Sequence, residues 1–461
     1  MTLPASTAEL RALDAAHHLH PFSDTKALNA EGSRVIVKAD GVWLTDSEGN
    51  RILDGMSGLW CVNVGYGREE IADAVSAQLR ELPYYNTFFK TTHKPAIELA
   101  AKLAELTPPQ FNRVFFTGSG SDSNDTVIRL VRRYFDLREQ PQKKIIISRR
   151  NAYHGSTVAA ASLGGMAPMH AQGDLPIPGI VHIAQPYWWG EARQGETPDE
   201  FGLRTARALE ATIDALGEDR IAAFIAEPIQ GAGGVIVPPA TYWPEIARIC
   251  RERDILFISD EVICGFGRTG NWFGCETFGT HPDILVMAKG ITSGYMPLGA
   301  VMVADRVAEV LIEKGGDFNH GYTYSGHPAA CAAALANLAI MQREKLVERV
   351  ESDAGPYLAA RWRALGEHPL VGEAPMVGLV GALELTPDKT GRTAFPEVGK
   401  AGTLARDFSF RNNLVMRAVR DRLIIAPPLT ISHGEIDELV ARARTTLDET
   451  WAELKRRGWV G

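Results

Sequence analysis

The chain has 461 residues, of which 45% are hydrophobic and 23% are charged, a balance that is typical of a folded globular protein and excludes wholesale disorder. Its 48 Lys and Arg residues stand against 56 Asp and Glu residues, and this net charge of −8 argues against a nucleic-acid-binding surface. No apolar run reaches the roughly 20 residues of a membrane helix, and the first ten residues do not resemble a secretory signal. The five cysteines are scattered, as is usual for free thiols in a reducing compartment. We therefore expect a soluble, cytoplasmic protein that binds neither nucleic acid nor a membrane.

The predicted elements divide the chain into three parts. Residues 1–60 show short strands and turns, for example at 41–46. From about residue 114 to 305, continuous apolar runs alternate with helical patterns, which favours a mainly parallel sheet buried on both faces. These runs are residues 114–116, 144–148, 221–226, 255–259, 284–288 and 298–303. After about residue 330, helices are followed by strands at 378–385 and 414–419. We predict an α/β protein with a large domain over residues 61–330 and a smaller α+β domain built from residues 1–60 and 331–461.

Polar or small residues follow four of the predicted strands directly. They are residues 117–121, Glu227, Asp260 and Lys289. In an open parallel sheet, ligands bind beyond the carboxyl ends of the strands, so these residues predict one shared site.

The first of these clusters, Gly118-Ser119-Gly120-Ser121, precedes a predicted helix. Backbone N–H groups, two hydroxyls and the helix dipole at such a position can bind a phosphate. The spacing is neither Gly-x-Gly-x-x-Gly nor a Walker loop, so a nucleotide is not indicated. A helix-capping turn of small residues explains the cluster equally well.

Lys289 and Asp260 indicate which phosphate-bearing molecule would bind at this site. A lysine at a buried strand end has a depressed pKa and can act as an amine nucleophile, although a solvated surface lysine is as good an explanation. A buried carboxylate such as that of Asp260 requires a cation or a donor, and capping a helix or pairing with an arginine would also satisfy it. A phosphate cup, a carboxylate and an amine together match pyridoxal phosphate: the carboxylate keeps the pyridine nitrogen protonated and the lysine forms the Schiff base.

Several longer motifs support this interpretation, and with them the chain resembles the class III pyridoxal phosphate-dependent aminotransferases. The motifs are FISDEVICGFGRTG at 257–270, AKG at 288–290, LWCVNVGYG at 59–67, YHG at 153–155, EPIQG at 227–231 and TYSGHP at 323–328. Within the family, the likeness is greatest to ω-transaminases that act on amines or β-alanine with pyruvate. The resemblance implies a fold type I transferase, a cofactor that alternates between pyridoxal 5′-phosphate and pyridoxamine 5′-phosphate, and a homodimer or a dimer of dimers with the active site at the subunit interface.

The resemblance also implies roles for individual residues. Lys289 and Asp260 match the catalytic lysine and the partner of the pyridine nitrogen. Val262 and Tyr153 match the contacts on the two faces of the ring, and Glu227 matches a glutamate of the network near the cofactor. The residues that match phosphate ligands are Ser119, Gly120, Ser121 and Thr323, of which Thr323 would serve the neighbouring subunit.

Substrate residues follow from the same resemblance. Arg417 matches a mobile arginine that binds a substrate carboxylate, and Phe22, Trp60 and Phe88 match an aromatic pocket wall, although ordinary core packing would also explain the aromatics. Ornithine and γ-aminobutyrate enzymes have a glutamate where this chain has Ala232. Since an unpaired arginine in an apolar pocket is costly, we expect Arg417 to swing toward solvent when an uncharged amine binds. The alanine at position 232, where those enzymes have a glutamate, favours an enzyme that uses simple amines with pyruvate.

The predicted reaction moves an amino group from a primary amine or ω-amino acid to pyruvate, or to another keto acid or aldehyde, by a ping-pong mechanism. Three alternatives stay open: an aminomutase or decarboxylase on the same fold, a non-catalytic pyridoxal phosphate-binding regulator, and a nucleotide-dependent dehydrogenase. The regulator should carry a basic helix-turn-helix segment and the dehydrogenase a Gly-x-Gly-x-x-Gly turn, and neither pattern is visible.

A histidine group near the N-terminus, His17, His18 and His20, has the composition of a metal site. No cysteine or carboxylate pattern accompanies it in the sequence. We therefore expect these residues to serve packing or an interface, and no metal site is predicted.

Overall fold

Three β-sheets organise this protein, whose computed structural model describes residues 6–461. The strands are β1 (Ile36–Asp40), β2 (Trp43–Asp46), β3 (Arg51–Asp54), β4 (Phe111–Thr117), β5 (Ile145–Arg149), β6 (Ile180–Ile183), β7 (Ile221–Ala226), β8 (Leu256–Asp260), β9 (Ile284–Met287), β10 (Gly299–Ala304), β11 (Val371–Glu373), β12 (Met376–Val377), β13 (Val380–Leu385), β14 (Leu414–Val415), β15 (Arg417–Val419) and β16 (Arg422–Ile425). The α-helices are α1 (Thr7–His17), α2 (Thr25–Glu31), α3 (Ser57–Trp60), α4 (Glu69–Glu81), α5 (Lys94–Leu106), α6 (Gly120–Leu137), α7 (Val158–Leu163), α8 (Ala167–Gly173), α9 (Trp188–Glu191), α10 (Pro198–Leu216), α11 (Tyr242–Glu252), α12 (Gly274–Thr277), α13 (Asp305–Lys314), α14 (Pro328–Arg343), α15 (Leu346–Arg349), α16 (Gly355–Ala364), α17 (Lys400–Arg411) and α18 (His433–Arg456). Within this described range, no helix has the length and apolar character of a membrane span.

The central sheet has the strand order β4-β10-β9-β8-β7-β5-β6. All of its strands run in one direction except β10, which is antiparallel to both neighbours. The prediction of a mainly parallel sheet in an α/β fold is therefore confirmed. The carboxyl ends of β4, β7, β8 and β9 consequently lie at the same edge.

Helices cover both faces of this sheet, which is why its strands are apolar throughout rather than alternating. Ile225 and Ile258 pack on one face in a cluster with residues of α6. Phe224 and Phe257, their neighbours along the strands, pack on the other face with residues of α10 and α11.

Two smaller sheets are built from the segments that flank the central sheet. One has the order β1-β2-β3-β14, and the other has the order β11-β13-β16-β15 with β12 beside β13. The pairing of β3 with β14 joins the two ends of the chain, while the domain boundaries at residues 60 and 330 remain a prediction.

The sequence pattern differs from the structure at two places. The single strand predicted at residues 414–419 is split at the fully buried Met416, because β14 pairs with β3 and β15 pairs with β16 in a different sheet. The edge strand β6 was not predicted, since it has only four residues and its two middle residues are half-buried.

Candidate active site

A cavity of about 400 Å³ opens where the parallel strands of the central sheet end. The polar groups predicted from four strand ends all border it: the Ser119 turn after β4, Glu227 after β7, Asp260 at the end of β8 and Lys289 after β9. Its remaining wall residues are Gly118, Gly120, Ser121, Tyr153, His154, Gly155, Val262, Ile263, Ala288, Thr292, Gly294, Met296, Pro297 and Leu298. The strand order of the sheet is thus what brings residues distant in sequence into one site.

The first helical turn of α6 forms one end of the cavity. Ser119 caps the helix, its Oγ accepting the backbone N–H of Asp122 at 3.2 Å. The backbone N–H groups of Gly120 and Ser121 have no hydrogen-bond partner among the described residues. A Cβ atom at Gly120 would lie 3.2 Å from Cγ2 of Val262, so glycine allows the turn to approach the cavity wall closely. Free N–H groups at a helix start bind an anion well.

Asp260 is held by three N–H groups. Its Oδ2 lies 2.7 Å from Nδ1 of His154 and accepts Nδ2–H of Asn124 at 3.0 Å, and its Oδ1 accepts the N–H of Val262 at 3.1 Å. The carboxylate is 3% exposed. These contacts fix its orientation and provide the donors that a buried carboxylate needs.

Lys289 is the free amine of the cavity. It follows β9 with a φ of +48°, in the left-handed region, and its Nζ forms no hydrogen bond or ion pair with any residue that the structure describes. Burial lowers the pKa of Lys289, while the charge of Asp260 acts in the opposite direction. A lysine whose pKa is lowered has more of the unprotonated amine that attacks a carbonyl carbon.

Glu227 connects the floor of the cavity to Tyr153. Its Oε1 accepts the N–H of Tyr153 at 3.1 Å and its Oε2 accepts the N–H of Gly231 at 2.9 Å. Burial raises the pKa of Glu227. The phenol of Tyr153 lies 3.0 Å from Oγ of Ser156, so both ends of this residue are fixed.

Two of the predicted pocket aromatics lie around this wall. The ring of Phe22 is 75% exposed and meets the ring of Tyr153 edge-on, with 6.4 Å between the centroids. Trp60 is buried, with a φ of +66°, in an apolar cluster that includes Ile263 of the cavity wall. Neither aromatic borders the cavity directly.

Arg417 is half-buried at the start of β15 and has no ion pair or hydrogen bond from its guanidinium to any described residue. Burial lowers the pKa of Arg417, and the neighbouring phenol of Tyr153 has the opposite effect. Ala232 is buried in the turn after β7 and does not border the cavity. A cationic side chain without a partner is therefore available beside Tyr153.

Neither Phe88 nor Thr323 borders this cavity. The ring of Phe88 packs so closely on Gly321 that a Cβ atom there would lie 2.6 Å from it. Tyr84 Oη donates to the carbonyl of Thr323 at 2.7 Å. The predicted roles of these two residues at the cofactor and the substrate of a neighbouring subunit remain predictions.

Sequence reasoning missed the partners of Asp260. His154 lies within the motif at 153–155, but no role was predicted for it. Asn124 is a fully buried polar residue on the apolar face of α6, and this break in the helical pattern was the available signal. The apolar wall at residues 296–298 gave no signal, since it reads as ordinary core.

Comparison with known proteins decides the family. Residues 27–447 match the family described as Aminotransferase class-III. The chain belongs to the class-III aminotransferases. It is 58% identical over 450 residues to a putrescine–pyruvate aminotransferase of Pseudomonas aeruginosa, with 98% of each chain covered.

Solved structures of omega-transaminases resemble this aminotransferase closely. One is the omega transaminase from Pseudomonas jessenii in complex with PMP, at a TM-score of 0.95 and 40% identity, covering 98% of this chain and 100% of that chain. Another is a thermostable (S)-enantioselective omega-transaminase from Thermomicrobium roseum, at a TM-score of 0.93 and 46% identity, covering 96% and 99%. The fold is thus the fold type I of pyridoxal phosphate-dependent enzymes, as predicted.

Class-III aminotransferases use pyridoxal 5′-phosphate. Three features of this aminotransferase fit the cofactor. The first turn of α6 offers unpaired N–H groups to a phosphate, Asp260 offers an oriented carboxylate to a ring nitrogen, and Lys289 offers an unpaired amine. The three stand around one cavity, which is the arrangement that the cofactor requires.

Proposed function

We propose that this aminotransferase moves the amino group of a primary amine or ω-amino acid to pyruvate, giving alanine, in two half-reactions that share the cavity. The observation that carries the proposal is the unpartnered, half-buried guanidinium of Arg417 beside Tyr153. Pyruvate and alanine carry a carboxylate and a simple amine does not, so one pocket must accept both a charged and an uncharged group. A free arginine that can bind the carboxylate and move aside meets this requirement. The 58% identity to a putrescine–pyruvate aminotransferase supports the same pair of substrate classes.

The bound cofactor supplies an electron sink for the substrate carbon that carries the amino group. In our proposal, Lys289 Nζ removes the proton from that carbon as a general base and, as a general acid, would deliver it to the carbon of the cofactor that takes up the amino group; the second half-reaction would run the same transfer in reverse. The lowered pKa of Lys289 favours this, because the amine must be unprotonated when it accepts the proton.

The residues around Lys289 would bind the cofactor and hold it in position. Asp260, oriented by His154 and Asn124, would hold the pyridine nitrogen of the cofactor and keep it protonated. Ser119, Gly120 and Ser121 bind the phosphate. Val262 and Tyr153, which both line the cavity, would contact the two faces of the cofactor ring and exclude water, and Glu227 fixes the backbone of Tyr153.

The working unit in this proposal is a homodimer, alone or paired into a tetramer. Thr323 and Phe88 would complete the cavity of the neighbouring subunit, Thr323 at the phosphate and Phe88 at the substrate. Exposed aromatics surround both residues: Phe89 is 91% exposed and Tyr324 is 66% exposed. Apolar side chains exposed to this extent are typical of a protein interface.

An amine-donor panel tests the reaction. Putrescine, β-alanine, γ-aminobutyrate, ornithine and 1-phenylethylamine would each be incubated with pyruvate or 2-oxoglutarate, and alanine or glutamate would be measured. We expect alanine with simple amines and an absolute requirement for the acceptor. Release of carbon dioxide or an isomerised amine without any acceptor would instead identify a decarboxylase or an aminomutase.

Subunit complementation tests the dimer. Lys289→Ala and Phe88→Ala would each be inactive or weak alone, but a mixed dimer would contain one cavity with both native residues. We expect activity to rise when the two variants are unfolded together and refolded. Activity equal to the average of the separate variants would place Phe88 in the same cavity as the Lys289 of its own chain.

A further inference from the structure

Three side chains near the N-terminus converge without any role in transamination. Oδ1 of Asp14 lies 3.2 Å from Nδ1 of His18 and 2.9 Å from Nε2 of His20. Asp14 belongs to α1, and His18 follows that helix in an extended conformation. Because alternate residues of an extended segment point to the same side, both imidazoles face the carboxylate while Leu19 is 83% exposed. The carboxylate that the histidine pattern lacked in the sequence thus comes from one helical turn earlier.

We propose that Asp14, His18 and His20 form a zinc site, with water completing the coordination. Imidazole nitrogen and carboxylate oxygen are zinc ligands, and two histidines with one carboxylate is a known ligand set for an open site. The three ligand atoms lie within 4.8 Å of one another. Bonds of about 2.0–2.1 Å in a tetrahedron place ligand atoms about 3.4 Å apart. The two observed separations need to open by only a few tenths of an ångström to admit the ion.

The surroundings of Asp14 suit a metal ligand. Ser33 Oγ donates to Oδ2 at 2.7 Å, and Nε2 of His20 also lies 3.0 Å from Oδ2, so that only Oδ1 is near both histidines. Such outer hydrogen bonds commonly orient ligating carboxylates. The arginines of this region, Arg11 and Arg34, form ion pairs with other carboxylates. No lysine or arginine within residues 6–461 pairs with Asp14, so its charge is available to a cation.

The proposed zinc site lies close in sequence to Phe22, which contacts the cavity residue Tyr153. His20 lies two residues before Phe22, whose ring contacts Tyr153 at the cavity. A zinc ion would join α1 to the segment that presents Phe22, and would restrict the motion of that segment. The ion would therefore stabilise the segment that contacts Tyr153 and take no part in the chemistry of the cavity.

The chain contains two matched controls. His17 precedes the site but contributes no atom to the cluster. His433 forms an exposed pair with Asp353, at 2.7 Å between Nε2 and Oδ1, in which a single histidine meets a carboxylate that also pairs with Arg349 at 3.6 Å. If histidine–aspartate pairing were sufficient for binding, this second pair would also bind zinc.

Zinc titration of the holoenzyme tests the proposal. Protein freed of metal with a chelator would be titrated with zinc sulfate in a non-chelating buffer by isothermal calorimetry. We expect one saturable zinc per chain, at least tenfold weaker binding in His18→Gln and in His20→Gln, and unchanged binding in His17→Gln and His433→Gln. His17, His18 and His433 are exposed and His20 is half-buried, and equal thermal midpoints without zinc would show that each variant is folded.

Two further measurements separate this site from adventitious binding. X-ray absorption at the zinc edge should show nitrogen and oxygen neighbours at about 2.0–2.2 Å, and sulfur at about 2.3 Å would instead indicate a cysteine such as Cys61. Zinc should also slow amide hydrogen exchange over residues 14–22 in the wild type but not in His18→Gln. The proposal is overturned by the absence of saturable binding, by binding that both ligand variants retain in full, or by a sulfur shell.

Discussion

Replacing Arg417 by alanine should impair pyruvate and spare an uncharged amine. The guanidinium of Arg417 has no partner in the described structure, so its removal breaks no internal ion pair and leaves no buried carboxylate without a partner. What is lost is a charge-assisted, bidentate contact with the substrate carboxylate, which contributes about 1.5–3 kcal/mol. This corresponds to a decrease of about ten- to a hundred-fold in kcat/KM for pyruvate and for alanine.

The assay compares two substrates in three variants. kcat/KM would be measured for pyruvate and for 1-phenylethylamine in Arg417→Ala, in Arg417→Lys and in Arg420→Ala. Lysine keeps the charge but not the planar pair of donors, so an intermediate loss for pyruvate is expected. Arg420 is an exposed arginine three residues further along, and its replacement should change neither substrate.

One outcome would refute the proposed role of Arg417 in binding the substrate carboxylate. Equal losses for pyruvate and 1-phenylethylamine in Arg417→Ala would mean that Arg417 supports the pocket wall rather than binding the carboxylate. Ala232→Glu offers an independent check, because a carboxylate that reached Arg417 would hold it in an ion pair and hinder both its binding of pyruvate and its movement. Unchanged kinetics in this variant would show that residue 232 does not communicate with Arg417.

Three further predictions concern the cavity and its support. Lys289→Ala should abolish turnover with the fold retained, and borohydride should fix the cofactor of the wild type on the peptide that contains Lys289; labelling of another lysine would refute the assignment. Asp260→Asn should retain the cofactor but lose most of kcat, since a neutral amide cannot hold the ring nitrogen protonated, and a near-native kcat would make Asp260 merely structural. Glu261 is fully buried, and burial raises its pKa from 4.5 to about 7 although the N–H groups of Gly274 and Cys275 donate to it. The folded state therefore binds this proton more tightly than the unfolded state, and stability that is complete below pH 4.5 is lost as the pH rises through about 7, by on the order of 3 kcal/mol. Thermal midpoints at pH 5 and pH 8 should differ less in Glu261→Gln than in the wild type, and equal differences would contradict the raised pKa.

Much of the fold followed from local patterns. Continuous apolar runs identified the parallel strands, and the polar residues directly after them identified the edge where the cavity lies. Both signals are short-range, since each depends on a strand and on the residues next to it in the chain.

The parts that escaped prediction depend on long-range contacts. Asn124 and His154 meet Asp260 across separations of 136 and 106 residues, and no local pattern encodes such a contact. The split at Met416 depends on which of two sheets supplies the hydrogen bonds on each side of it. Thr323 and Phe88 do not border the cavity, and their place in a neighbouring subunit remains a prediction that a single chain does not test.

The change of sheet at Met416 has a consequence for how substrates are selected. The backbone pairs with β3 just before Arg417 and with β16 at Arg417 itself. The main chain at Arg417 is therefore held by two different sheets. Any alternation between charged and uncharged substrates must therefore come from rotation about the four side-chain bonds of the arginine, with no loop rearrangement. Such rotations in accessible side chains take picoseconds to nanoseconds, which is far shorter than a typical turnover of about 0.1 s. Substrate exchange at this position should therefore add no slow conformational step to the catalytic cycle.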